Sequence, residues 1–351
     1  MSPRIDHART SIMSFQRTCY IHAGTHKTAS SYIQSRLSQN CALLATHNLL
    51  YEFPGPSKLK HKPLVRAANR NSWECWISYL KRYQNIKHDL LLSAEQFTLT
   101  LCNRARLDEI RRMLAGHGFK LQVIIFVRPQ LDYMNSRYVY GLRCLHYSLK
   151  LEEYVVESFN RKTGDFYDYW TFYEPLREAG VGCTFLPFHR CYGDPFLQLM
   201  DALGLEMNHN FAPGAPGRDN VQHGMRGVWL SRLVVKKLEK LGFSGHDLKR
   251  SSRVMRRICE REGWHEERYF GFSDDLAATV LTHYHQGNDA FARWAWDRSW
   301  QEVFPQETAR QCVYCPRNLK EQQKMQKLAD HVIGELASKN EQLAQALRAS
   351  P

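Results

Sequence analysis

The segment Leu121 to Val127 is almost wholly apolar and rich in β-branched residues, and it stops abruptly at Arg128-Pro129. It is far too short to cross a bilayer and carries no alternating polar face, so it reads as a strand covered on both sides. Strands of that kind belong to parallel sheets sandwiched between helices. Other segments agree. Cys19 to Ala23 is a short run bounded by Gly24, Asp89 to Ser93 is another, and Val181 to Leu186 is a weaker late one. Asn48 to Phe53 suggests a further strand, stopped by Pro54-Gly55-Pro56. Helical spacing fills the intervals. Tyr32, Ile33 and Leu37 predict a helix opening near Thr28; Arg104 to Ala115 is amphipathic and stopped by Gly116 and Gly118; another helix runs from Pro195 to Leu203. This alternation predicts an α/β fold of three layers around a central parallel sheet, with ligands bound beyond the carboxyl ends of the strands.

Composition narrows the class of protein. The 351 residues are 43% hydrophobic and 24% charged, an ordinary globular balance that excludes wholesale disorder. No apolar stretch is long enough to span a membrane. Met1 to Arg17 is polar and basic, without the apolar core of a secretory signal, so a cytoplasmic protein is expected, at most in peripheral contact with a membrane. The net charge of +13 points to an anionic partner: nucleic acid, a polyanionic cofactor or an acidic glycan. No helix-turn-helix, zinc-finger or RNA-binding signature accompanies it, so nucleic acid is not the expected partner. The ten cysteines are spread from Cys19 to Cys315 and read as free thiols. Cys312 and Cys315 form a lone C-x-x-C without a second pair, so no metal site is expected.

The first strand runs into Gly24-Thr25-His26-Lys27-Thr28-Ala29-Ser30-Ser31, just before a helix. A helix's first amides have no internal partner and its dipole favours negative charge there, so a strand-loop-helix step is a natural anion site. Lys27 adds a mobile positive charge, and Thr28, Ser30 and Ser31 add hydroxyls. This is not the nucleoside-triphosphate loop that ends in Gly-Lys-Ser/Thr, because Lys27 comes early and no glycine immediately precedes it, so a nucleotide-dependent phosphotransferase fits less well and stands as an alternative, beside a non-enzymatic nucleic-acid-binding or scaffold protein.

Lys27-Thr28-Ala29-Ser30-Ser31-Tyr32 resembles the 5′-phosphosulfate loop of sulfotransferases that use 3′-phosphoadenosine 5′-phosphosulfate, and Ile21 to Gln34 looks closest to the bacterial sulfotransferase-like group. The departure is Ala29 where that family has glycine; alanine is small, and a helical start is expected to tolerate it. A second match is Arg128 at the end of its strand with Ser136 eight residues on, the pair that in the family grips the cofactor's 3′-phosphate. Arginine's planar fork suits phosphate oxygens. The resemblance therefore implies a phosphate-binding-loop fold of the nucleotide-hydrolase type and a donor site drawn from Thr25, His26, Lys27, Thr28, Ala29, Ser30, Ser31, Arg128 and Ser136. Tyr32 is placed to stack on adenine, and Arg218 is a candidate for a further contact to the 3′-phosphate. No metal is called for, and the product would be adenosine 3′,5′-bisphosphate. The acceptor would be a hydroxyl or amine, with a glycan or glycolipid expected from the basic surface.

Transfer to a hydroxyl needs a base. Glu95, just past the third strand, is the first candidate; His61, in the basic loop after the second strand, is the runner-up, and Glu52 a third. Lys27 would neutralise the leaving phosphate. The expected organisation is one domain over 18–300, with a cofactor-binding core at 18–205 and a helical acceptor-side elaboration at 206–300. An extension at 301–351 follows, with an amphipathic helix spanning Leu319 to Leu347 that docks on the body or on a second copy.

Overall fold

The computed structural model describes residues 17–54, 60–161, 165–205, 211–213, 223–248, 251–305 and 311–349. It is an α/β fold built on five strands: β1 (Arg17–His22), β2 (Leu49–Leu50), β3 (Asp89–Ser93), β4 (Phe119–Val127) and β5 (Gly182–Pro187). All pairings are parallel, and the strands lie in the order β2-β3-β1-β4-β5. β1 is therefore central. His22, its last residue, is in register with Ser93 on one side and Ile124 on the other. The apolar run that predicted a doubly covered strand is one: Val123 to Val127 are all fully buried. Helices cover both faces, and loops Gly24–Ala29, Ala94–Gln96 and Arg128–Pro129 all leave the same edge of the sheet.

β2 is shorter than the sequence suggests. Only Leu49 and Leu50 pair with β3. Tyr51 and Phe53 instead turn their rings against His61, at centroid distances of 5.3 and 5.2 Å. Tyr51 and His61 are buried, so this edge of the sheet is closed by aromatic packing and not by further ladder bonds.

Beyond β5 the chain is helical. Trp294 and Trp296 pack on Phe291, and Trp296 Nε1 donates to the Phe185 carbonyl at 2.7 Å, so these tryptophans serve the core. The long tail helix of the sequence reading is two helices, Leu319–Ala337 and Glu341–Ala349. The break falls where Asn340 caps the second, its Oδ1 accepting from the Leu343 amide at 3.0 Å. Met325, Val332, Leu336 and Leu343 are buried in a second core with Leu230, Val234 and Val254. Of the two dockings expected for this stripe, it makes the one on the body, against helices Met225–Lys240 and Ser251–Arg261. Among the described residues no helix is long and apolar enough to cross a membrane.

Candidate functional site

The loop after β1 is conformationally unusual. Lys27 and Ala29 both lie in the left-handed region, at φ 72° and 54°, while Thr28 between them does not. Alternating hand of this kind turns successive amides toward a common centre, a frame suited to anions. The helix Ser30–Gln39 starts directly after Ala29, and no side chain caps it. Its first-turn amides are left for a ligand or water. Beneath the loop lies His22, buried, with Nδ1 2.8 Å from Ser93 Oγ and Nε2 without a partner. A methyl group built on Gly24 would come within 3.2 Å of that Nε2 and of Thr28 Oγ1, so the floor of the loop is tightly filled.

Two expectations for this loop are corrected. Thr25 Oγ1 donates to the Phe126 carbonyl at 2.7 Å and Thr28 Oγ1 to the Thr25 carbonyl at 2.6 Å. A hydroxyl has one proton to donate, so these two hold the loop's shape and offer nothing to an anion. Ser30 and Ser31 remain as donors. Ala29, for its part, is not in the helix; it occupies a left-handed cap where an alanine costs about 1 kcal/mol. Replacing it with glycine should therefore raise stability by up to about 1 kcal/mol in urea denaturation, whereas a glycine inside a helix would lower it by about as much.

Arg128 leaves the end of β4, where its Nη1 donates to the Lys27 carbonyl at 3.0 Å and the guanidinium lies 5.6 Å from the Phe188 ring centre. It forms no ion pair with a described carboxylate, Asp132 included. Burial pulls its pKa down, with Asp132 opposing. Lys27 Nζ sits 5.0 Å over the Tyr140 ring, and Arg143 lies 5.1 Å from the same ring. Burial and then Arg143 push the Lys27 amine down to about 8; Arg128 adds to the shift and Glu95 opposes it. Lys60 Nζ reaches Ser31 Oγ at 3.3 Å. Four cations thus gather around one uncapped helix terminus.

Glu95, just beyond β3, meets this cluster through His26, whose Nδ1 is 2.9 Å from its Oε2. Burial raises the carboxyl's pKa, but the hydrogen bond and charge of His26, with Lys60 and Lys62, outweigh it and hold it at about 2. So strong an acid accepts protons poorly at neutral pH, which argues against Glu95 as the base itself. His61 is also corrected. It is fully buried, with Nε2 on the Glu52 carbonyl at 2.7 Å and Nδ1 accepting from the Ser93 amide at 3.1 Å. Both ring nitrogens are occupied, so His61 ties the basic loop to the end of β3. Glu52 is likewise engaged, its carboxylate accepting from Tyr83 at 2.8 Å.

Ser136 is buried on the helix Gln130–Arg143 that follows Arg128. Ser136, Tyr140 and Arg143 are spaced four and three residues apart and so share one helical face. That spacing was the available signal for Tyr140 and Arg143. Tyr32 commits its hydroxyl to Asp194 at 2.8 Å and keeps a partly exposed ring. Arg218 lies outside the described residues.

The fold and this edge define an α/β protein with a cationic site at the carboxyl ends of β1, β3 and β4. No family model matches the chain, and no curated protein matches it. Among solved structures, a chain from the PezAT chromosomal toxin–antitoxin system of Streptococcus pneumoniae aligns over 51% of this chain and 72% of its own, at 14% identity and a TM-score of 0.28. Likeness at that level carries no argument about fold or function.

Proposed function

We propose that this chain is a sulfotransferase of the phosphate-binding-loop type, moving a sulfuryl group from 3′-phosphoadenosine 5′-phosphosulfate to an acceptor hydroxyl or amine. The observation that carries this reading is the linked pair Lys27 and Arg128: two desolvated cations from different strand ends, joined through the Lys27 carbonyl. The residues present fit such a ligand. Lys27, the first-turn amides, Ser30, Ser31 and Lys60 would hold the 5′ end, and Arg128 and Ser136 the 3′-phosphate. The donor supplies an electrophilic sulfuryl group on a phosphate leaving group.

The chain supplies the rest. Glu95 stays ionised and accepts from His26 Nδ1, so that the neutral ring presents a bare Nε2 to take the acceptor's proton as its oxygen bonds to sulfur, and Glu95 then stabilises the imidazolium that forms. Lys27 neutralises the charge left on the phosphate as the sulfur–oxygen bond breaks. The role first expected of Glu95 therefore passes to His26, with Glu95 as a positioning residue. His26→Ala should lower the transfer rate about 10²- to 10⁴-fold and leave bisphosphate affinity within about threefold. Glu95→Gln, which keeps a hydrogen-bonding oxygen, should lose less. Rates that fall more for Glu95→Gln than for His26→Ala would reverse the two roles.

A further inference from the structure

A cavity of about 330 Å³ opens just past Arg128, starting at Pro129 and Asp132. It lies between the start of the helix Gln130–Arg143 and the long helix Asp274–Trp296. That volume is at the lower end of the range for small-molecule sites. Its apolar wall is aromatic, made by Phe270, Phe272, Trp300 and Phe304, the last three well buried and so fixed in place. At its floor Gln130 and Asn288 exchange side-chain hydrogen bonds, one of them at 3.0 Å, and Gln130 also donates to the Tyr167 carbonyl at 3.1 Å. Those amides are locked.

The charge at this cavity is opposite to that of the Lys27 cluster. Its charged lining is Asp132, Asp274 and Asp289, accompanied by His189 and His285, with no lysine or arginine among the described lining residues and Arg128 bordering it at Asp132, in a chain whose net charge is +13. Asp289 is held in place, accepting from the Trp300 amide at 3.3 Å, with His285 3.6 Å away. Carboxylates beside an apolar wall attract ammonium groups with an apolar body and repel phosphate, sulfate and carboxylate.

We propose that this cavity binds a small organic cation, an amine carried on an apolar ring or short chain. The inference goes beyond the donor site and does not require it. An anionic glycan would be repelled here, so if the cavity serves the acceptor, the acceptor is an amine-bearing apolar molecule.

The test is calorimetric titration of the full chain with 2-phenylethylamine and with 3-phenylpropionate, similar in shape and opposite in charge. Ala278→Trp, on the exposed wall of the cavity, fills it and marks which binding belongs there; Leu281→Trp serves in its place if that variant does not fold. We expect the amine to bind at least about tenfold more tightly than the acid at the site that Ala278→Trp abolishes. Asp289→Asn, which retains an oxygen for the Trp300 amide, should weaken the amine about threefold. Amine binding that survives in the folded tryptophan variant, or equal affinity for the two probes at the blocked site, would overturn the proposal. Because the readout is binding, a failure here is separate from a failure of sulfuryl transfer.

Discussion

Lys27→Ala is expected to reduce sulfuryl transfer by about 10³-fold or more while the protein stays folded. The side chain is half-buried, packed on Tyr140, and makes no ion pair with a described carboxylate. Its removal deletes a charge that the fold holds away from water at a developing anion, the kind of loss that costs several kcal/mol. Folding should survive, because a cation among Arg128 and Arg143 is repelled by its neighbours in the absence of an anion. A pH signature accompanies the rate. In the free site the Lys27 amine titrates near 8. A phosphate prefers it protonated, so below that pH binding needs no proton uptake, and above it each binding event must also protonate the amine. Affinity for adenosine 3′,5′-bisphosphate should therefore fall as pH rises from 7 to 9, and Lys27→Ala should flatten that dependence. Turnover close to wild type in the variant would remove Lys27 from the chemistry.

The second large effect is on binding. Arg128→Ala should weaken the bisphosphate about 10- to 100-fold, the worth of a charge-assisted, two-pronged contact in a desolvated place. Two losses combine. The guanidinium is gone from the end of β4, and the Lys27 carbonyl loses the donor that helps hold a left-handed loop. Arg128→Lys separates them: it restores charge without the planar fork, so it should recover only part of the affinity. If titration calorimetry gives all three proteins the same affinity, Arg128 serves the loop alone and the 3′-phosphate is held elsewhere.

The sheet was legible because its strands are written in residue type. Leu121 to Val127 and Asp89 to Ser93 carry so many branched and apolar side chains that no solvated element accommodates them, and β3 and β4 lie where they were expected. The loop after β1 was legible as an anion site because Lys27 and a run of hydroxyls stand at a strand-to-helix step. What the residues do within it was not, since that depends on backbone hand and on partners far along the chain. Ala29 reads as a helix former and is a left-handed cap. Thr25 and Thr28 read as anion donors and spend their protons on carbonyls. His61 reads as a candidate base in the basic loop; its partners are the backbone at Glu52 and Ser93, which only the packing of two strand ends brings together. Glu95 and His26, 69 positions apart, form a pair for the same reason. The break at Asn340 is not legible in the stripe, because Leu343 beyond it joins the same second core as Leu336; only the Asn340 cap on the Leu343 amide marks it.

The central claim, that the cationic edge binds a 3′-phosphorylated sulfate donor, is tested most directly by thermal unfolding of the full chain with 3′-phosphoadenosine 5′-phosphosulfate, adenosine 3′,5′-bisphosphate, ATP and GTP, each at the same concentration and salt. A ligand present at about 100 times its dissociation constant adds about 2.7 kcal/mol to stability. A clear rise in melting temperature is expected with the first two and little with the nucleoside triphosphates, and Arg128→Ala should cut that rise by about half or more. Equal stabilisation by ATP or GTP, or none by the bisphosphate, would contradict the claim.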